Sequence, residues 1–288
     1  MSGSVLFDAP GPRSVVRHRL YTVITSVVLL GALGYAVVRL EQNGQFEYEK
    51  WEPFVSPVYI ETILVDGVLE TVKMAFSAIL LAVGFGVLFG IGKLSDHGLV
   101  RWPCWAVVEF WRAVPVLLSM IFIGAYLDLS QLSHRYWAVV IALMLYNGAV
   151  LAEIFRAGVN AVPHGQVEAA YAVGMRKTQV MLAIQLPQAV KIMLPALISQ
   201  CVVALKDTAL GYAVLAPGLT FVARLIYNNP DFGQNQLPTV FVIAMIYIVL
   251  NLILTAIATW VQKKFVGEKK VLEVAMVGEG DPTAAAPK

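Results

Sequence analysis

Six stretches of this chain are long and apolar enough to cross a lipid bilayer, and nothing else in the sequence limits its fold as tightly. Crossing roughly 30 Å of hydrocarbon takes about 20 apolar residues in a helix. The runs are Leu20 to Val38, one that begins between Leu64 and Val72 and ends near Gly92, Trp105 to Tyr126, Tyr136 to Ala152, Ile192 to Leu215, and Leu237 to Val261. The outer part of the second is amphipathic. Inside lipid, backbone N–H and C=O groups must bond within their own segment. The runs lack the alternation of barrel strands, so each is read as a helix. Composition agrees: of 288 residues 58% are hydrophobic and 14% charged, with a mean hydropathy of +0.72. A soluble domain carries about 25% charged residues, and this chain has too little polar surface to cover a soluble core.

Orientation follows from the placement of Lys and Arg, which favour the cytoplasmic side. With the N-terminus inside, the inner segments hold fourteen of the 21 basic residues, among them Arg13, Arg17, Arg19, Lys93, Arg101, Arg156, Arg176, Lys177, Lys191, Lys263 and Lys264. The outer segments hold four: Arg39, Lys50, Arg135 and Arg224. Lys73, Arg112 and Lys206 fall within spans. Both termini are therefore expected in the cytoplasm. Residues 1–19 are an inner tail, 20–38 the first span, 39–62 an outer connector, 63–262 the main helical body, and 263–288 an inner tail that is disordered after Gly267. The outer connector is acidic and carries Trp51, Pro53, Phe54 and Pro57, so it is structured or surface-lying rather than a domain.

Several classes of function are set aside. A net charge of +2 gives no reason to expect a nucleic-acid partner. The two cysteines, Cys104 and Cys201, lie in apolar stretches, and the four histidines are scattered, so no disulfide framework or metal-ligand spacing is present. The first apolar stretch lacks a small-residue cleavage site and runs into an acidic segment, unlike a secretory signal. A phosphate-cradling loop needs Gly, four residues, then Gly-Lys-Ser/Thr; around Gly92-Lys93, position 87 is Val and position 94 is Leu. Gly84, Gly86, Gly90 and Gly92 read instead as a surface for close helix packing. No nucleophile–base set is visible, and no internal repeat points to an inverted-repeat secondary transporter.

The segment between the fourth and fifth spans, 153–191, is long for a membrane connector and only moderately polar. Pro163 and Gly165 break the chain, Gln166 to Val173 can form about two turns, and Gly174 closes them in a left-handed position. Thr178 to Leu186 then forms a second short helix ended by Pro187. On physical grounds this is either a rigid lever for a soluble partner or a re-entrant or interfacial structural loop.

Glu168-Ala169-Ala170, three residues, Gly174, nine residues, then Ile184-Gln185-Leu186-Pro187 resemble the EAA signature of ATP-binding-cassette (ABC) importer permeases. Glu153, Arg156, Gly158, Pro163, Gly165 and Gln166, with Leu186-Pro187-Gln188-Ala189 and Leu194-Pro195-Ala196, resemble the polar amino acid branch of that family. So do Arg112-Ala113-Val114-Pro115, with Ala and Val where the branch has Gly and Thr, and Lys206-Asp207-Thr208-Ala209-Leu210. The likeness spans roughly residues 60 to 262. The start, Phe7-Asp8-Ala9-Pro10-Gly11-Pro12, together with Lys206 to Tyr212, is similar to actinobacterial glutamate-uptake permeases.

The resemblance implies an all-α, polytopic membrane bundle: a five-helix importer core plus one extra N-terminal helix, in the bacterial plasma membrane. It implies a transport subunit and not an enzyme. A dimer of separate ATPase subunits would bind ATP and Mg, and this chain would bind no cofactor. An extracellular or lipid-anchored binding protein would deliver the substrate, and a second permease, or a second copy of this chain, would complete the pore. Residues 166–176 would be the coupling helix, with Gln166, Glu168, Ala169, Ala170, Gly174, Met175 and Pro187 meeting the ATPase.

A charge near mid-bilayer costs about 2.5–3.5 kcal/mol on insertion scales, which makes intramembrane charges functional candidates. Glu109 and Arg112 are three apart and can pair, and Lys73, near the outer interface, can snorkel. Lys206 and Asp207 lie deeper. Adjacent residues on a helix cannot face each other, so each needs a partner on another helix or in the substrate. With Asn147 and Thr208, these residues (Lys73 aside) are the candidates for the substrate pathway. With Lys73 counted, the intramembrane charges are three cations against two carboxylates, which favours a substrate with surplus carboxylate, such as glutamate. Glutamine or aspartate import by the same mechanism, an ATP-independent secondary transporter or channel, and a membrane scaffold or sensor subunit are the competing readings.

Overall fold

Chain breakers set the sharpest turns between the helices of this protein, because the apolar sequence between them offers the backbone no partner but itself. The computed structural model describes residues 12–233 and 235–266, and every element in it is helical. The sequence-predicted tail after Gly267 and the segment Phe7 to Gly11 lie outside the described residues. The helices are α1 (Pro12–Gln42), α2 (Tyr48–Trp51), α3 (Pro57–Thr62), α4 (Glu70–Lys93), α5 (Gly98–Ala113), α6 (Val116–Leu127), α7 (Leu132–Asn160), α8 (His164–Ala172), α9 (Lys177–Val180), α10 (Leu186–Asp207), α11 (Leu219–Tyr227) and α12 (Gln236–Val266). A π-helical stretch, Ile63–Leu69, makes α3 and α4 one continuous run.

Five runs are long and apolar enough to span by themselves: Arg13–Gln42, Pro57–Lys93, Leu132–Asn160, Lys177–Val214 and Gln236–Lys264. The third expected span, Trp105 to Tyr126, is not one helix. It is α5 and α6, bent by 100° between Ala113 and Val116. Pro115 has no N–H to donate and pushes the residue before it out of the helical region. Val114 accordingly sits at φ −77°, ψ 124°. The chain turns at the very motif, Arg112 to Pro115, that a hydropathy count passes over.

A second correction concerns Pro187, which does not end a helix. The run from Lys177 continues through it to Asp207. A π turn at Met181–Gln185 precedes Pro187, which then falls in the first turn of α10. A helix's first turn needs no donor from that residue. The far end also differs from the uniform helix expected over Ile192 to Leu215: α10 ends at Asp207, and Thr208–Val214 is a 3-10 segment closed by Leu215 at φ 54°.

Contacts divide the chain into two units, one holding residues up to Thr71 with Pro217–Ile246, the other Val72–Ala216 with Tyr247 onward. In the first, the outer connector is ordered by aromatic contacts. Trp51 meets Phe54 and Phe241 edge-on, its indole N–H donates to the Gln45 carbonyl at 2.8 Å, and Tyr59 stacks edge-on against Phe232. Asn229 Nδ2 donates to the Tyr59 hydroxyl at 2.9 Å. The buried Thr71 hydroxyl accepts from Leu219 N at 3.0 Å, satisfying one orphan donor at the start of α11. Helix α1 is apolar and contributes no buried residue.

The second unit is organised around α7. Its buried face is rich in small residues, including Ala138, Ala142, Gly148, Ala149 and Ala152. Lipid tails are as apolar as leucine, so helices associate in a membrane through close van der Waals approach instead of escape from water. Small residues permit that approach. A Cβ on Gly86 would lie 2.7 Å from Leu151 Cβ, and one on Gly148 2.9 Å from Phe85 Cβ. Gly90 is equally close to Phe155, and Gly92 to Cys104; Gly84 has nothing within 4 Å. Met74, Met120, Val139, Leu143 and Val214 form one apolar cluster of this unit, and Phe155, Val159, Ala189 and Met193 another.

Gly86→Ala should therefore destabilise the protein by about 1–3 kcal/mol, the usual cost of forcing a methyl into a packed contact. Gly84→Ala should be neutral or slightly stabilising. Thermal unfolding in detergent compares the two, and equal melting points would mean that α4 and α7 do not meet at Gly86.

Candidate functional site

Pro163, at φ −53° and ψ 126°, turns the chain out of α7 and starts α8 at His164. Gly165 thus lies inside the helix, and its start falls two residues before the expected Gln166. Helix α8 turns Ala170 and part of Val167 inward, the latter onto the cluster around Phe155 and Met193. Gln166, Glu168, Ala169, Tyr171 and Val173 are exposed. Gly174 stands at φ +84°, a conformation that costs a residue with a Cβ. Its N–H bonds to the Tyr171 carbonyl at 2.9 Å, and Met175 N–H reaches the Ala170 carbonyl at 3.2 Å. These are the two bonds of a Schellman closure, which satisfies the last carbonyls of the helix and reverses the chain at once.

The returning chain is pinned on both sides. Gln179 Oε1 accepts from Arg176 N at 2.8 Å, and Gln188 Nε2 donates to Gln166 Oε1 at 2.5 Å and to the Ile184 carbonyl at 2.9 Å. Lys177 Nζ pairs with Asp96 at 2.5 Å and lies 3.4 Å from the Leu94 carbonyl. The hydrogen bond from Lys177, followed by its charge, holds the Asp96 carboxyl below the usual carboxylate range. A groove of about 470 Å³ opens between the end of α8 and the start of α10, lined by Ala169, Val173, Met175, Ile184 and Pro187 among others. The arrangement is a short, closed, well-tethered helix with an exposed face beside a groove.

A second feature lies at the ends of α4, α5 and α7. The Lys93 side chain is only 4% exposed, and its ammonium reaches Glu153 at 2.7 Å and Glu109 at 3.3 Å. Arg112 Nη1 pairs with Glu109 at 3.2 Å. Arg156 Nε donates to Glu153 at 2.9 Å, and Nη2 makes a second contact with the same oxygen. Glu109 and Arg112, candidates for the substrate pathway on sequence, thus belong to an ion network with Lys93, Glu153 and Arg156. Sequence reasoning missed that network. Glu153 to Arg156 has a readable spacing of three, but Lys93 and Glu153 are 60 residues apart and nothing local links them.

The remaining pathway candidates separate into two kinds. Asn147 is buried and used in packing: Oδ1 accepts from Gln200 Nε2 at 2.6 Å and Nδ2 donates to the Leu143 carbonyl at 3.0 Å. Buried Thr208 donates to the Leu205 carbonyl at 2.6 Å and lies 3.4 Å from the Tyr247 hydroxyl. Lys206 is exposed and Asp207 half-buried. Neither side chain has a hydrogen bond or salt bridge among the described residues.

Residues 82–267 match the family described as the binding-protein-dependent transport system inner membrane component. This chain belongs to that family. The permease is 42% identical over 229 residues to the glutamate transport system permease protein GluD of Corynebacterium glutamicum, covering 78% of this chain and 83% of the relative. It is 31% identical over 205 residues to the arginine transport system permease protein ArtQ of Bacillus subtilis, covering 70% and 91%. Among solved structures, an amino acid ABC transporter with histidines superposes with a TM-score of 0.64 at 27% identity, over 72% of the permease and 95% of that chain. The permease is therefore a multi-pass inner-membrane transport subunit of an ABC importer and not an enzyme; the ATPase is a separate subunit.

Two predictions follow from the geometry of the permease. Glu153→Gln leaves a nearly buried ammonium with one weak partner, so it should cost about 3 kcal/mol, the lower end for a broken buried pair. The double change Lys93→Met, Glu153→Gln should recover most of that loss, as chemical unfolding of the four members of the cycle will show. The Asp96–Lys177 contact should hold above the ordinary carboxylate range and weaken as pH falls through the depressed value. Lys177→Met should move the Asp96 carboxyl up toward the ordinary carboxylate range, read from its carbon resonance in an NMR titration.

Proposed function

We propose that the permease forms the pathway of an ATP-driven importer for polar amino acids, with glutamate as its substrate. The observation that carries this is the 42% identity to a glutamate transport permease across 78% of the chain. Lys206 and Asp207, whose side chains make no hydrogen bond or salt bridge among the described residues, are the residues we assign to the pathway; Asn147 and Thr208 brace the helices that hold them.

In this reading both termini and the α8 loop face the cytoplasm, residues 20–38 are an accessory span, 39–62 lie outside, and 63–262 form the importer core. Helix α8 is the coupling helix. Its exposed side (Gln166, Glu168, Ala169), the turn at Gly174 and Met175, and Pro187 in the adjoining groove seat it on an ATPase subunit, which binds ATP and Mg. Two such subunits draw together two coupling helices, one from this permease and one from a second permease or a second copy. That motion favours the outward-facing pore, which accepts substrate from a binding protein. Two conformations and a partner that prefers one of them are sufficient for alternating access.

The test is ATP-dependent uptake of labelled glutamate by proteoliposomes holding the permease, its ATPase and its binding protein. Gly174→Val places a β-branched residue at a positive φ and strains the closure by about 1–3 kcal/mol. Uptake should fall on the order of tenfold or more while the protein still reconstitutes. Uptake of glutamine or aspartate instead would keep the mechanism and replace the substrate. Flux indifferent to ATP and to the Gly174 change would leave a secondary transporter.

A further inference from the structure

The cavity beside the ion network has a property that the coupling and transport roles leave unused. It measures about 630 Å³ and is lined by Lys93, Arg101, Trp102, Trp105, Glu109, Glu153 and Arg156. Around it stand four cations, counting Arg112, against two carboxylates. Both carboxylates are committed, Glu153 to Lys93 and Arg156, and Glu109 to Lys93 and Arg112. Arg101 has neither a hydrogen bond nor a salt bridge among the described residues. Asp96, on which Arg101 acts only through its charge, is already held by Lys177. The pocket therefore presents a guanidinium with unused donors and a surplus of positive charge.

Its rim is apolar and aromatic. Trp102 and Trp105 meet edge-on, their rings 5.8 Å apart, and both are exposed, as are Leu99, Val100 and Phe110 on the same helix. The indole N–H groups of Trp102 and Trp105 have no acceptor among the described residues. Exposed tryptophans of this kind mark the level of the headgroups, where an apolar ring body and a polar N–H are both satisfied. Helix α5 turns by 100° before α6, and the 12 residues of α6 reach only about 18 Å. The pair is thus built of an amphipathic segment with polar and aromatic sides and a short apolar one. An amphipathic helix rich in Trp, Leu and Arg lies in the interface with its apolar side among acyl chains.

We propose that this pocket binds the headgroup phosphate of an anionic phospholipid. The phosphate accepts from Arg101 and the tryptophan N–H groups, the surplus charge of the network favours it over a zwitterionic headgroup, and the acyl chains cover the exposed side of α5. A phosphodiester matches a guanidinium fork in charge and geometry. The site differs from the α8 groove and from Lys206–Asp207, and its occupation would tie the position of α5, and through Glu109 the Lys93 knot, to the surrounding lipid.

The experiment uses the full-length permease, purified in non-ionic detergent, delipidated, and titrated with phosphatidylglycerol or phosphatidylcholine of identical chains. Native mass spectrometry counts the bound lipid. The wild type should bind phosphatidylglycerol preferentially, and Arg101→Ala should cut that preference about fivefold, the share of one basic group at a membrane surface. Arg19→Ala, an exposed arginine of α1, should leave it unchanged. Added inorganic phosphate at millimolar concentration should not compete. Equal binding of the two lipids, or a preference that survives Arg101→Ala, overturns the proposal. Competition by free phosphate overturns the lipid assignment in favour of a soluble phosphate ligand.

Discussion

Within hydrocarbon a backbone amide has no water to fall back on, and the architecture of this permease is a set of answers to that one constraint. Long helices answer it over most of the chain. The informative places are those where proline or glycine interrupts a helix, because each interruption frees groups that must be satisfied some other way. At Pro115 the chain gives up continuity and turns by 100°. At Pro187 it keeps continuity, with a π turn just before the proline and the ring in the first turn of α10. At Gly174, in the loop between two spans, α8 is closed by two reverse hydrogen bonds and a positive φ. The same physical debt is met by a corner, a bulge and a cap, and the three together create the permease's distinctive loop and bend.

Packing answers the second half of the problem. Because lipid does not drive apolar helices together, adhesion depends on how closely backbones approach. Helix α7 supplies the surface, and the glycines of α4 let it in. The ion network fits the same scheme. Lys93 ends α4, Glu153 belongs to α7 and Glu109 to α5, so a nearly buried ammonium joins three helices at one level. Ion pairs of this kind add little net stability over apolar contacts of equal volume. They are costly to break singly, which suits a junction that must keep its register while neighbouring parts move.

Much of this was legible in the sequence. The number of apolar runs, the all-helical class, the close-packing glycines and the left-handed turn at Gly174 all rest on local rules, in which a residue and its near neighbours set the outcome. Family membership was legible for the same reason, since the EAA signature is a spacing pattern within some 20 residues. What the sequence hid was direction and distance. A hydropathy sum over Trp105 to Tyr126 is the same whether the chain runs straight or turns at Val114. Proline at 187 reads as a stop unless the preceding π turn is known. Glu109 and Arg112 read as intramembrane charges until Lys93 and Glu153, distant in the chain, are found beside them.

The run from Lys177 to Val214 ties these parts into one mechanical element. Its first residue grips Asp96 beside α8, and Lys206 and Asp207 lie near its other end. Helix α10 alone, 22 residues, extends about 33 Å. In the proposed cycle a displacement of α8 reaches the pathway residues along this run without passing through any flexible loop. Its weak points are the π turn at Met181–Gln185, Pro195 inside α10 and the 3-10 segment that begins at Thr208, where backbone hydrogen bonds are poorer than in an unbroken α-helix or missing. A run of this kind transmits a push along its helical stretches and can reorient at both ends and bend at Pro195.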